Sequence, residues 1–447
     1  MENKTTIPLK KHALILNGLV ILARLLVGLI FVFSGFVKAV DPLGSSYKFA
    51  DYLGVLGMDF LLPMTLFVAI MLAAFEFWLG VSLITGYRIK QSIVLLNLFM
   101  LFMTPLTLWI SISNPVTDCG CFGDALKLTN WQTFYKNVVL MGISIFLFIY
   151  RSKLTPLFSK HTQGLVSLYT LLFIFSVSWI SYEYLPIVDF RPYKIGNNIT
   201  EMMSIPEGAQ TEEFENIFIY QKDGVEKKFT LENYPEGDST WTFVRREDKP
   251  INKGYVPPIN NFSIELDGSD ITQEVLQDSS YTFLLISHRL ENASDEEIDR
   301  INEIYDYCVK FGYRFYCLTA SPQDVIEEWS ADTGAEYPFA ITDEIPLKTM
   351  IRSNPGLILL KQGTVLRKWP HTLLPETEMS DLPLDQTKWG KKDAMLSGTK
   401  VLFFAMAFII PLVALFILER IIGLCVRIYQ KRKKKKEKGS ADTPETE

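Results

Sequence analysis

The chain has 447 residues, 48% of them hydrophobic, and a mean hydropathy of +0.16, high enough to point to lipid contact. Charged residues reach 21%, which excludes a mostly disordered chain, and the net charge of −6 excludes a uniformly basic nucleic-acid binder. Five cysteines exclude a disulfide-rich scaffold.

Crossing a bilayer takes about 20 apolar residues. Segments 13–37, 60–85, 93–112, 165–182 and 395–424 meet that length. Segment 130–150 is weaker, because Gln132, Lys136 and Asn137 crowd its first turns. It still counts as a span, since 138–150 is broken only by Gly and Ser and Lys136 can snorkel to an interface. An all-α membrane bundle of six transmembrane helices is therefore expected. Basic residues fall at Lys4, Lys10 and Lys11, at Arg88 and Lys90, at Arg151, Lys153 and Lys160, and in the run 431–436. With six spans these four segments share one side, the cytoplasm by the positive-inside rule. Both termini are then cytoplasmic in a bacterial inner membrane, and 39–59, 113–129 and 185–392 face the periplasm. The first span contains Arg24 and lacks a small-residue cleavage site, so it reads as an uncleaved anchor.

The charge is unevenly spread. Residues 187–397 hold 37 acidic against 21 basic residues, whereas 427–438 hold eight Lys or Arg and one Glu. The basic tail suits anionic lipid. Within the long loop, 195–257 is polar, with turns at Lys222-Asp223-Gly224 and Pro235-Glu236-Gly237. Segments 217–220 and 228–231 flank the first turn as a β-hairpin. From Pro258 strands and helices alternate. Segment 281–287 reads as a buried strand. A helix over 295–311 carries Ser294 as N-cap and Glu297 three residues on, a capping box. A strand at 314–319, a helix at 322–332 and a hairpin of 357–360 with 364–369 follow.

The motif Asp118-Cys119-Gly120-Cys121-Phe122-Gly123-Asp124 lies after span three. On the oxidising side of a membrane its thiols tend to pair. A Cys-Gly-Cys ring departs from relaxed disulfide geometry and is expected to be easily reduced. Gly120 and Gly123 permit the tight backbone. A fixed disulfide that shapes the loop is the alternative. A metal site is disfavoured because no His stands nearby. Asp118 and Asp124 raise a neighbouring thiol's pKa, and Lys127 offsets one of them, so a slow exchanger is expected.

Arg24 and Glu76 sit within spans one and two, where an unpaired charge costs about 3 kcal/mol. They are expected to pair and fix helix register, or to line a polar cavity for a quinone or a proton. Lys38 is expected to anchor the end of span one at the interface. Cys308 and Cys317 read as buried core thiols with a structural disulfide as the alternative, Cys425 as core or lipid-facing, and His288 as structural.

Two resemblances extend these readings. Arg24-Leu25-Leu26-Val27-Gly28 through Ser34-Gly35-Phe36-Val37-Lys38, with Glu76, Leu79-Gly80 and Gly86, resembles the first two spans of the DoxX family. The Cys-Gly-Cys-Phe-Gly motif is similar to MauE, a DoxX-related protein of methylamine utilisation. Over about residues 15–150 the resemblance implies a four-helix membrane bundle linked to sulfur or disulfide chemistry. Residues 257–370 resemble the thioredoxin-like superfamily in its periplasmic TlpA layout. Segment 258–264 resembles the lead-in strand, 281–287 the central strand, and Ser353-Asn354-Pro355 the cis-proline before a hairpin. Where that family carries two cysteines, this chain has His288-Arg289-Leu290-Glu291-Asn292-Ala293. A binding groove without thiol catalysis is implied.

The expected organisation is a DoxX/MauE-like four-helix membrane domain (1–152), a fifth span (153–186), a β-rich region (187–256), a thioredoxin-like α/β domain without CxxC (257–370), a linker (371–394), a sixth span (395–425) and a basic cytoplasmic tail (426–447). The expected function is an accessory in thiol–disulfide exchange, with Cys119 and Cys121 acting on an extracytoplasmic or membrane protein partner. The alternative is a non-enzymatic scaffold whose soluble domain docks such a partner. No nucleotide loop, zinc motif, hydrolase triad or other cofactor motif is evident, and no nucleic-acid partner is expected.

Overall fold

The computed structural model describes residues 6–116, 119–209, 213–222, 225–230, 233, 235, 240–252, 254–375, 382–392 and 397–441. The chain forms two units, Met1–Arg191 with Ala394–Glu447, and Pro192–Asp393.

The first unit is helical: α1 (Thr6–Val40), α2 (Pro42–Val55), α3 (Thr65–Thr85), α4 (Ile89–Ser113), α5 (Asn130–Ile149), α6 (Lys160–Glu183) and the last helix, α12 (Ser397–Ala441). Six segments are long and apolar enough to span a membrane: Leu14–Val40, Asp59–Thr85, Ile89–Ser113, Asn130–Ile149, Lys160–Glu183 and Gly398–Lys433. The protein is a multi-pass membrane protein.

The polar residues that weakened the fourth span in the sequence have local work. Thr129 and Gln132 form a reciprocal capping box at the start of α5. Asn130 donates to the Asn114 side chain and the Val116 carbonyl, tying α5 to the end of α4. Asn137 donates to Thr107 across the same pair of helices. Helix α2 lies in what reads as a loop from sequence; Asp41 caps it and Pro42 opens it.

Helices α1 and α3 approach closely because their contact is built on glycine. A methyl group on Gly80 would stand 2.6 Å from the Gly28 carbonyl oxygen. Val27, Leu79, Leu83, Ile93 and Leu147 form one buried cluster of the bundle. Ala73, Phe77, Ile174, Val177 and Phe408 form another, which takes in α6 and α12.

The second unit opens with α7 (Ile199–Met203) and a three-stranded antiparallel sheet of β1 (Glu213–Lys222), β2 (Val225–Phe229) and β3 (Thr242–Asn252), in the order β2-β1-β3. The expected hairpin is β1–β2, with Phe218 opposite Phe229 and Lys222 opposite Val225. Its turn residues Asp223 and Gly224, and Glu236 and Gly237 of the second turn, lie outside the described residues. Strand β3 was not legible, because its sequence TFVRREDKPIN is dominated by charge rather than alternation.

A seven-stranded mixed sheet carries the rest. Its elements are β4 (Glu265–Leu266), β5 (Ser269–Asp270), α8 (Thr272–Leu276), β6 (Tyr281–Ser287), α9 (Ile298–Phe311), β7 (Arg314–Thr319), α10 (Gln323–Thr333), β8 (Phe339–Ile341), α11 (Glu344–Met350), β9 (Gly356–Lys361) and β10 (Thr364–Pro370), in the order β10-β9-β6-β7-β8-β4-β5. Strands β6, β7 and β8 run parallel, and β9 lies antiparallel to β6. Every residue of β6 is buried, as its unbroken apolar run dictates. Phe283, Leu285, Ile301, Cys308, Cys317 and Leu359 meet in the core. The unit is thus a mixed α/β sheet domain, as expected.

Two local expectations are corrected. Segment 258–264 is not a strand; the lead-in shrinks to the two residues of β4. Helix α9 starts at Ile298, and Ser294 does not cap it. The Ser294 amide instead donates to the Asn354 carbonyl, so residues ahead of α9 are held against the proline loop.

Candidate functional site

The Cys119–Cys121 loop joins α4 to α5. Gly120 and Gly123 both take positive φ, +66° and +51°, and the Gly123 amide donates to the Gly120 carbonyl at 3.0 Å. That turn folds the two thiols onto each other. Both cysteines are free, with Sγ atoms 3.2 Å apart.

The loop is fastened to the bundle by α1. Ser34 and Lys38 are one helical turn apart and share a face. Ser34 Oγ donates to the Cys121 carbonyl at 2.9 Å. Lys38 Nζ donates to the same carbonyl at 2.6 Å, to Ser34 Oγ at 2.8 Å and to Glu76 Oε2 at 2.7 Å. Lys38 and Glu76 are 6% and 4% exposed, so their ion pair is a buried one. Three acceptors satisfy the three protons of one ammonium.

Two expectations about these charges are therefore corrected. Lys38 is not an interfacial anchor; it turns inward because Glu76 and the loop carbonyl offer a complete set of partners. Arg24 does not pair with Glu76. Its guanidinium donates to the Leu83 and Ile84 carbonyls at the end of α3 and to the Thr155 carbonyl. Those carbonyls of the last turn of a helix have no partner within it, and the planar fork of Arg suits them.

Behind the loop, Phe122 is buried, with Lys136 Nζ 4.3 Å from its ring centroid. A cavity of about 30 Å³ opens here, lined among others by Ser34, Glu76, Cys121, Lys136 and Asn137. It has room for about one water.

The surroundings treat the two thiols differently. Cys121 is held below the usual thiol range, first because the Cys119 thiol donates to its sulfur, then because Lys136 and Lys38 stand near; burial and Glu76 oppose this. Cys119 is pushed up, first because its proton is the one shared with Cys121 and then by burial, with Tyr52 opposing. At Cys121 the shift runs against the expectation that the acidic loop suppresses thiolate, and at Cys119 it runs with it. Asp124 faces Lys127 at 3.8 Å, and the cations that matter come from helices α1 and α5. Asp118 lies outside the described residues. Sequence inspection missed Ser34 and the part of Lys136, which looked like an interfacial residue. The i, i+4 spacing of Ser34 and Lys38 was the available signal.

In the second unit the turn after β6 carries no thiol. Ser287 Oγ donates to the Asn354 side chain, and Asn354 Nδ2 donates to the Arg289 carbonyl. The Asn354–Pro355 peptide is cis. Arg289 pairs with Glu344 at 2.9 Å. His288 Nδ1 is buried without a hydrogen-bond partner among the described residues. Its pKa falls to about 4, chiefly by burial and then by the charge of Lys348. Cys308 and Cys317 are buried in the core and free, and burial pushes both thiols up. Cys425 is exposed on α12. Among the described residues no group of His, Cys, Asp and Glu is placed to hold a metal.

Comparison with known proteins places the thiol loop and the residues that hold it inside one match. Residues 16–150 match the family model of methylamine utilisation protein MauE. Residues 214–253 match a domain of unknown function (DUF8463). A search of curated proteins finds no match. Among solved structures, a solution structure from Bacteroides thetaiotaomicron, described as a candidate protein disulfide isomerase, aligns with 14% identity and a TM-score of 0.22. The alignment covers 26% of this chain and 77% of that one.

Proposed function

We propose that this membrane protein is an accessory in thiol–disulfide exchange, with Cys119 and Cys121 as the exchanging pair. The observation that carries this reading is the pair itself: two free thiols 3.2 Å apart in a loop gripped by a buried Lys38–Glu76 ion pair. The match to MauE over residues 16–150 supports the assignment, as does the DoxX-like pattern that contains Ser34, Lys38 and Glu76. The basic segments support a topology with the thiol loop and the soluble unit on the extracytoplasmic side of a bacterial inner membrane and both termini in the cytoplasm. The partner is then a protein on or outside that membrane, and the tail over 431–436 meets anionic lipid.

A second reading is favoured by the turn at His288. A thioredoxin-like unit with no thiol there is a docking module, and the protein as a whole would be a scaffold. Trapping separates the two. Full-length Cys121→Ala protein, expressed in cells, should accumulate a mixed disulfide between Cys119 and a partner protein, released by reductant. Equal recovery of the partner before and after reductant, with no covalent adduct, would favour the scaffold.

A further inference from the structure

Resting on the exchange reading, we propose that the two thiols have fixed and unequal roles. Cys119 is the sulfur that receives the partner, and Cys121, which lines the cavity that Lys136 also lines, is the leaving sulfur. The pair is thereby built to donate a disulfide rather than to reduce one.

The geometry is asymmetric. Cys121 faces inward: it lines the same cavity as Glu76, Lys136 and Asn137, and its carbonyl takes both Ser34 and Lys38. Cys119 stands beside Tyr52 of α2 and does not line that cavity. The titratable groups facing Cys121 are Cys119 from the loop, Lys38 from α1, Glu76 from α3 and Lys136 from α5. Glu76 is already paired with Lys38, and Lys136 lines the same cavity as Cys121. An attacking sulfur must approach in line with the disulfide it breaks, and the sulfur that leaves does so more readily when its anion is stabilised.

The step balances as follows. A thiolate of a partner dithiol attacks Cys119 Sγ of the oxidised pair. The Cys119–Cys121 bond breaks, and its electron pair leaves on Cys121 Sγ. The partner's second thiol loses its proton and attacks the partner sulfur in the mixed disulfide. The partner's disulfide forms, and Cys119 leaves with the electron pair and takes up one proton. The partner has lost two electrons and two protons. The pair holds both electrons and one proton, shared between sulfurs 3.2 Å apart, and the other proton goes to solvent. Stabilising the reduced form in this way makes the disulfide more oxidising.

The test uses full-length oxidised protein in lipid nanodiscs with reduced glutathione as the thiol probe. After an acid quench, peptide mapping should find glutathione on Cys119 in at least tenfold excess over Cys121. Lys136→Gln should shift the exchange equilibrium with glutathione about tenfold toward the disulfide, equivalent to about 30 mV. Lys136→Arg should stay within about threefold of the wild type. Glutathione found mainly on Cys121, or equally on both, overturns the assignment while leaving exchange intact. An unchanged equilibrium in folded Lys136→Gln overturns the part given to Lys136. If the pair never reacts with glutathione, the exchange reading fails with it. The mapping uses wild-type protein, so it decides even if the Lys136 variants do not fold.

Discussion

Removing Glu76 should unfold more than it disables. The Lys38 and Glu76 side chains are 7% and 6% exposed, so water screens neither charge. Glu76→Leu strands a buried ammonium, and breaking such a pair by removing one partner costs about 3–5 kcal/mol. Lys38 retains Ser34 and the Cys121 carbonyl as acceptors, which places the loss near the lower end, about 3 kcal/mol. Removing both charges, in Lys38→Met with Glu76→Leu, should recover most of this, because buried pairs are often replaced by apolar residues at little cost. The double variant still loses the stronger of two donors to the Cys121 carbonyl. It should fold and yet exchange with glutathione more slowly, since the loop is no longer gripped. Denaturant titration of the four proteins in mixed micelles gives the coupling energy of the cycle. A loss under about 1 kcal/mol for Glu76→Leu would mean that Lys38 reaches water. A double variant as unstable as the single one would mean that the coupling is not ionic.

Three further outcomes are expected. Arg24→Lys keeps the charge but loses the fork across three carbonyls, costing one charged hydrogen bond or more, about 1.5–3 kcal/mol; an unchanged melting temperature in detergent would contradict the capping role. Gly120→Ala places a side chain at φ +66° with its Cβ 3.2 Å from Lys48 Cγ, so about 1–2 kcal/mol of strain should loosen the loop and slow glutathione exchange; an unchanged rate argues that loop shape is not limiting. His288 titrates at about 4 in the fold against 6.5 when unfolded, so the unfolded state binds the proton first as pH falls. Stability of the mixed sheet is then full above about pH 6.5 and declines toward pH 4, by about 3 kcal/mol at most; hydrogen exchange of β6 amides in the full chain should show this slope, and His288→Phe should flatten it.

Much of the architecture was legible because apolar run length decides it. Six spans, the central strand β6 and the closing hairpin all follow from uninterrupted or alternating apolar residues. Strand β3 and helix α2 were not, because neither presents a clean apolar period. The site was half legible. The Cys-Gly-Cys spacing marked the loop, and burial cost marked Arg24 and Glu76 as residues needing partners. Which partner each takes is a matter of depth and rotation of packed helices. Arg24 sits level with the end of α3 and meets its carbonyls, so Glu76 is left to Lys38. No spacing along one span reveals its level against another.

That same dependence on packing explains how a thiol pair in an acidic loop can be activated. The loop supplies Asp118 and Asp124, and Lys127 faces Asp124 at 3.8 Å. The charge that acts on Cys121 comes from α1 and α5, segments nearly 100 residues apart, and exists only once the bundle has closed. Thiolate character at Cys121 draws first on the Cys119 thiol, which the loop gripped by Ser34 and Lys38 holds at 3.2 Å, and then on those cations, so it depends on the folded bundle. A short peptide spanning the motif should hold both thiols near the ordinary value of about 8.5. Measured beside the full chain by the pH dependence of alkylation, the peptide should lack the early-titrating thiol. If peptide and protein titrate alike, the helices contribute nothing to the site, and the buried Lys38–Glu76 pair is a device of assembly alone.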